Sequence, residues 1–146
     1  MEYVKIKNAD RIVKDCPYVV NNPKTYKGKW NQFFQNGNPI CLELGMGRGD
    51  FIIEMAKKYP NINFIGLEAV DSQMVPAVQH LRNEKLANLK LICGDAMEID
   101  QIFQKEIDTI YLTFCDPWPK KHDDKKRFTH INYLKKYDKV FKKQKH

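Results

Sequence analysis

Apolar residues follow two regimes along the chain. Up to residue 38 they are scattered among polar ones, and Asn21-Asn22-Pro23 and Asn36-Gly37-Asn38-Pro39 carry turn chemistry. Between these turns Tyr26, Trp30, Phe33 and Phe34 recur at spacings that place them on one face of a short helix. From residue 39 short apolar runs alternate with amphipathic ones. Residues 40–44 read as a strand that runs into glycines, and 50–59 as a helix with Phe51, Ile52, Met55 and Tyr59 on one face, stopped by Pro60. Residues 63–67 form a second predicted strand ending at Glu68. A helix capped by Asp71 follows and runs to about residue 86, with Pro76 tolerable only near its start. A third strand, 89–93, leads to Gly94-Asp95, and a short helix covers about 98–103. A fourth strand, 109–114, leads to Asp116-Pro117-Trp118-Pro119. Ile131, Leu134, Tyr137, Val140 and Phe141 then mark a last amphipathic helix.

Strands separated by helices predict an α/β fold with a parallel sheet and right-handed crossovers, Rossmann-like in arrangement. The first strand is expected inside the sheet, with strands two and three to one side and strand four to the other. Ligands of such sheets bind beyond the carboxyl ends of the strands. Four strands end there in a polar group: Glu43 with Gly45, Glu68, Asp95 and Asp116.

Composition adds limits. The 146 residues suit a single domain, with 1–38 as an N-terminal extension. No apolar run is long enough for a membrane helix, and the first residues alternate apolar and charged rather than forming a signal peptide. Cys16, Cys41, Cys93 and Cys115 are far apart, without the paired spacing of a zinc site. These features predict a cytoplasmic protein with reduced thiols, no metal and no membrane partner. Charge is uneven: residues 1–30 carry net +4, residues 31–116 net −5 and residues 117–146 net +8. An acidic middle between basic ends suggests a small-molecule site flanked by surfaces for a polyanion.

The glycine turn sharpens the small-molecule reading. Gly45, Gly47 and Gly49 let the backbone turn tightly and approach a ligand, and Glu68 on the next strand end can accept both hydroxyls of a ribose. A dinucleotide fold wants a small residue where Asp50 stands, and Glu43 beside the turn would repel a pyrophosphate. S-adenosyl-L-methionine carries a sulfonium and an amino group, both cationic, which an acidic cradle suits. Asp95 is aimed at the adenine amino group or serves as a helix N-cap. A ligand-free glycine turn and an NAD-dependent reductase are the competing readings, although nothing in the chain resembles a catalytic Tyr-x-x-x-Lys and Asp50 speaks against the reductase.

The fourth strand end offers a second site. Two prolines fix the backbone around Trp118 and leave Asp116 able to accept from the N–H edge of a base. Lys120, Lys121, His122, Lys125, Lys126 and Arg127 can meet phosphates, or form a solvated charge run.

Glu43-Leu44-Gly45-Met46-Gly47-Arg48-Gly49, Gly66-Leu67-Glu68 and Asp116-Pro117-Trp118-Pro119-Lys120-Lys121 together resemble the bacterial tRNA (guanine-N7-)-methyltransferase family, of the class I methyltransferase fold. Asn22-Pro23, Tyr26-Lys27-Gly28-Lys29-Trp30 and Arg127-Phe128-Thr129 also match. The resemblance implies methyl transfer from S-adenosyl-L-methionine to N7 of a guanine in the tRNA variable loop. It implies cofactor contacts at Glu43, Glu68, Asp95 and Asp116, the last also catalytic by orienting the base, and tRNA contacts at Lys120 and the 122–127 loop. Two departures follow. Met1-Glu2-Tyr3-Val4 stands where the family commonly opens with Arg-x-Arg. The chain also ends after the helix that follows strand four, where family members continue with strands carrying further active-site residues. These departures imply a partial domain, incomplete at its C-terminal end, monomeric or homodimeric, with an open edge on strand four. The alternative function is an inactive fragment that retains cofactor or RNA binding.

Overall fold

The computed structural model describes residues 4–112 and 131–142. Four parallel strands, β1 (Ile40–Leu44), β2 (Asn63–Glu68), β3 (Leu89–Cys93) and β4 (Thr109–Tyr111), lie in the order β3-β2-β1-β4. β1 is interior, as the pattern of connections predicts. The chain steps outward from β1 to β3 and then returns to the other side of β1. The reversal places the topological switch at the carboxyl end of β1, where the glycine turn begins.

Each side of the sheet has its own core. On one side α1 (Ala9–Lys14), α3 (Asp50–Lys58) and α4 (Asp71–Leu81) pack with Cys41, Phe64, Leu89 and Leu91. On the other, α2 (Trp30–Phe34), α5 (Ile99–Ile102) and α6 (Ile131–Val140) pack with Ile40, Leu42, Leu44, Ile65 and Ile92. All of β1 and β2 is buried, as expected for strands covered on both faces.

Several elements depart from expectation for identifiable reasons. α3 buries Ile52, Ile53 and Ala56, with Phe51 and Met55 only half-buried and Tyr59 exposed beyond its end. The packed face is thus rotated from the predicted one, with Ile53 and Ala56 inside in place of Phe51 and Tyr59. α4 runs through Pro76, its sixth residue, despite the missing N–H; burial of Met74, Val75, Ala77, Val78 and Leu81 outweighs the one lost bond. α4 also ends at Leu81 rather than near 86. The Tyr18 hydroxyl donates to the Glu84 carbonyl and accepts from the Leu86 N–H, both at 2.9 Å, so backbone groups that a longer helix would use are taken from outside. In α6 the buried positions are Tyr133, Tyr137 and Val140, while Leu134 is 43% exposed.

Residues 4–38 are built into this domain. Around β3 the Val20 N–H donates to the Leu91 carbonyl (2.8 Å) and the Leu91 N–H to the Tyr18 carbonyl (2.9 Å), which covers that sheet edge. Trp30 is fully buried, and its indole N–H donates to the Ile102 carbonyl at 2.9 Å. Buried Glu106 accepts from the N–H groups of Gly28, Trp30 and Gln104. The opposite edge is not wholly open either. The N–H groups of Glu106 and Ile107 donate to the Val140 carbonyl and that of Lys142 to the Ile107 carbonyl, so the segment after α6 pairs with the entry to β4. A helix alone could not satisfy an edge, but the residues that leave it can.

Candidate functional site

At the carboxyl end of β1 the chain turns through Gly45 (φ 71°), Gly47 (φ 57°) and Gly49 (φ 83°), a left-handed conformation at three positions that only glycine adopts without strain. Their surroundings separate their roles. A Cβ on Gly49 would lie 2.8 Å from the Ala77 Cβ, so this glycine lets α3 and α4 close. A Cβ on Gly47 would meet nothing within 4 Å: this glycine faces open space above the strand ends, where a ligand can approach the backbone. A dinucleotide fold would need its close-packing small residue where Asp50 stands. The structure places it at Gly49 and leaves Asp50 exposed in the first turn of α3, where its carboxylate holds the helix end that a pyrophosphate would need.

The turn is tied to β2. The N–H groups of Gly45 and Met46 both donate to the Leu67 carbonyl, at 2.9 and 3.1 Å. The Gly47 N–H donates to Glu68 Oε1 at 2.9 Å, and the Val70 N–H to Glu68 Oε2 at 3.1 Å. Each oxygen of Glu68 keeps lone-pair capacity after these bonds, and the carboxylate is held in one orientation. Met46 is fully buried and fills the space that Gly66 leaves, since a Cβ on Gly66 would come within 2.6 Å of the Met46 sulfur. The pairing of an absent side chain at 66 with a long one at 46 is a feature the sequence pattern did not reveal.

Glu43 lies beneath this turn. In register it stands between Gly66 of β2 and Tyr111 of β4, and it has no solvent exposure. Burial, with the Glu68 charge adding to it, pushes its carboxyl up to about 8. Such an acid is mostly protonated at neutral pH and is ready to ionise beside a cation. The ring of Tyr111 stands edge-on to that of Phe51 at 5.2 Å on the same side of the sheet.

Asp95 ends β3 beside this group, and the Gly94 N–H donates to the Glu68 carbonyl at 3.0 Å. One oxygen of Asp95 accepts from the Met97 N–H at 2.9 Å, so it caps the short 3-10 turn Ala96–Glu98 while remaining exposed. Tyr133 of α6 lies close enough to this strand end to feel Asp95: burial, with the Asp95 charge adding to it, holds its hydroxyl above its ordinary range. The periodicity of α6 had pointed to Leu134 instead; spacing from Tyr137 and Val140 alone could have found Tyr133. The structure thus gathers Glu43, Gly45, Gly47, Gly49, Glu68 and Asp95 along adjoining strand ends. Asp116, Lys120, Lys121, His122, Lys125, Lys126 and Arg127 lie outside the described residues. Among the described residues no group of three or more His, Cys, Asp or Glu side chains is placed to hold a metal ion, and no helix is long and apolar enough to cross a membrane.

This arrangement defines a Rossmann-like class I methyltransferase fold. Solved structures agree on the architecture: an antibiotic-related methyltransferase superposes with a TM-score of 0.63 at 18% identity, covering 80% of this chain and 59% of that one. The antibiotic-resistance methyltransferase Kmr superposes at 0.60 and 14%, covering 76% and 58%. A family model described as "Putative methyltransferase" matches residues 37–145. The tRNA (guanine-N(7)-)-methyltransferase of Bacillus subtilis (strain 168) is 44% identical over 135 residues, 92% of this chain and 63% of that protein. That of Alkaliphilus oremlandii (strain OhILAs) is 41% identical over 143 residues, 97% of this chain and 68% of that protein. The chain belongs to the tRNA (guanine-N(7)-)-methyltransferase family, and it spans 63% of the length of its Bacillus subtilis relative.

Proposed function

We propose that this chain acts in the transfer of a methyl group from S-adenosyl-L-methionine to N7 of a guanine in the tRNA variable loop. The observation that carries the reading is identity of 41–47% to curated tRNA (guanine-N(7)-)-methyltransferases across 90% or more of the chain. The site fits the cofactor: the open approach at Gly47, the oriented Glu68 and the buried Glu43 suit a ribose and a cationic tail rather than a pyrophosphate. When bound, S-adenosyl-L-methionine supplies the electrophilic methyl. Guanine N7 offers an in-plane lone pair, so no residue here has to remove a proton from it. The work left to the chain is positioning. Glu68 accepts the ribose hydroxyls, Glu43 offers negative charge to the cationic tail, and Asp95 accepts from the adenine amino group with the lone pairs its capping bond leaves. Asp116 orients the guanine through its N–H edge, and Lys120, Lys121, His122, Lys125, Lys126 and Arg127 hold RNA phosphates.

Calorimetric titration with S-adenosyl-L-methionine and with NAD, followed by tritium transfer to unmodified tRNA, tests the reading. Binding of the first ligand and label at guanine N7 are expected. A folded chain that binds NAD and not S-adenosyl-L-methionine, or that labels no guanine, refutes it.

A further inference from the structure

A second concave surface lies away from the strand ends. It is a cleft of about 940 Å³ between α1, the C-terminal end of α4 and the segment entering β3. α4 separates it from the glycine turn: the 11 residues of the helix span about 16 Å, with the Val70 N–H that holds Glu68 at one end and Arg82 at the other. Lys7, Arg11, Arg82 and Lys85 line the cleft, all are exposed, and none makes a side-chain hydrogen bond or ion pair among the described residues. Of the two acids present, Glu84 is committed to Lys57 at 2.8 Å and to His80 at 3.7 Å, which leaves Asp15. Lys90 also borders the cleft, but its ammonium sits 5.3 Å from the centroid of the Phe33 ring.

Four uncommitted cations around one concavity are costly to gather unless an anion joins them. We infer that this cleft, formed by α1 and the end of α4, seats the phosphate backbone of the tRNA at a point remote from the methylated base. The inference rests on the reading of tRNA as substrate and adds a contact surface to it. A ligand confined to the cofactor site could not use these charges at about 16 Å. A polyanion with phosphates along its length can use them while another part of it reaches the strand ends.

The test is tRNA binding by the whole chain over a range of salt concentrations, with Arg11→Gln, Arg82→Gln and Lys85→Gln combined, and separately Asp15→Asn. The triple variant should bind tRNA about tenfold more weakly at low salt, with the salt slope reduced by about 2–3, and keep its affinity for S-adenosyl-L-methionine. Asp15→Asn removes the uncommitted acid and should tighten tRNA binding about two- to fivefold, a gain that misfolding cannot imitate. Unchanged tRNA affinity and slope in both variants, with the unaltered chain binding and methylating tRNA, overturn the cleft assignment alone. An unaltered chain that binds no tRNA overturns it together with the functional reading. A dimer of the unaltered chain that the triple variant abolishes, with tRNA affinity intact, gives the cleft to a second copy and also overturns the assignment.

Discussion

Replacing Glu43 by Gln isolates the cost of burying an acid under the glycine turn. Burial and the neighbouring Glu68 push the Glu43 carboxyl from its ordinary 4.5 up to about 8. Between those values the unfolded chain has lost a proton that the folded chain keeps, so folding takes up a proton. The stability due to that proton is present in full below 4.5 and is lost as pH rises to about 8, where the folded protein also ionises. At about 1.36 kcal/mol per pH unit, the loss is roughly 3 kcal/mol at pH 7 and roughly 5 kcal/mol at its limit, as orders of magnitude. Glutamine keeps the shape and has no proton to lose. Urea denaturation of both proteins from about pH 5 to about pH 9 should therefore show the variant gaining on the parent by about 1.4 kcal/mol per pH unit, levelling off above about 8. Titrations of groups that do not interact with Glu43 cancel in the difference. The same substitution should weaken S-adenosyl-L-methionine binding and remove its rise in affinity with pH. A stability difference that stays constant across the range would refute the buried-acid account.

Glu68→Ala should weaken S-adenosyl-L-methionine binding by about 1–3 kcal/mol in calorimetric titration, the range for hydrogen bonds to a charged group; unchanged affinity would remove Glu68 from the ribose site. Gly49→Ala should destabilise the fold by about 1–3 kcal/mol in thermal denaturation, because the new methyl meets Ala77 at 2.8 Å in a left-handed backbone. Gly47→Ala, with nothing within 4 Å, should change stability by only about 1 kcal/mol yet lower cofactor affinity; the reverse ranking of the two variants on stability would contradict the division of roles. Neutralising Lys125, Lys126 and Arg127 together should flatten the salt dependence of tRNA binding and leave cofactor affinity nearly unchanged, and a tRNA affinity indifferent to all three would exclude that loop from the interface.

The sheet was legible in the sequence because β1 and β2 are buried throughout and read as continuous apolar runs, closed by the glycine turn and by Glu68. Strand order followed from the connections. The glycine turn and the strand-end acids were legible for the same reason: they interrupt apolar runs where nothing in a core requires polarity. Contacts between segments remote in sequence were not legible. The end of α4 is set by Tyr18, 66 residues from its Glu84 partner, and no local signal in 82–86 reports it. Trp30 looked like part of a short amphipathic helix, whereas its depth comes from Ile102 and Glu106. The close approach of α4 to Gly49, where a Cβ would lie 2.8 Å from Ala77, was likewise not legible, because it depends on tertiary packing that no spacing encodes.

The turn after β1 is held by the protein's own groups. Three N–H groups in succession, those of Gly45, Met46 and Gly47, end on the Leu67 carbonyl and the Glu68 carboxylate. Met46 is locked under Gly66. Ordering backbone costs about 1–2 kcal/mol per residue, and here that cost falls on folding rather than on binding. A glycine-rich loop left free would return much of its conformational freedom to the unbound state and weaken affinity accordingly. The same bonds join the loop to Glu68, the acid proposed to hold the ribose. Glu43 lies below it, and its raised carboxyl, mostly protonated at neutral pH, avoids placing two full negative charges side by side. Two carboxyl groups on neighbouring strands can therefore coexist in a buried site without unfolding it.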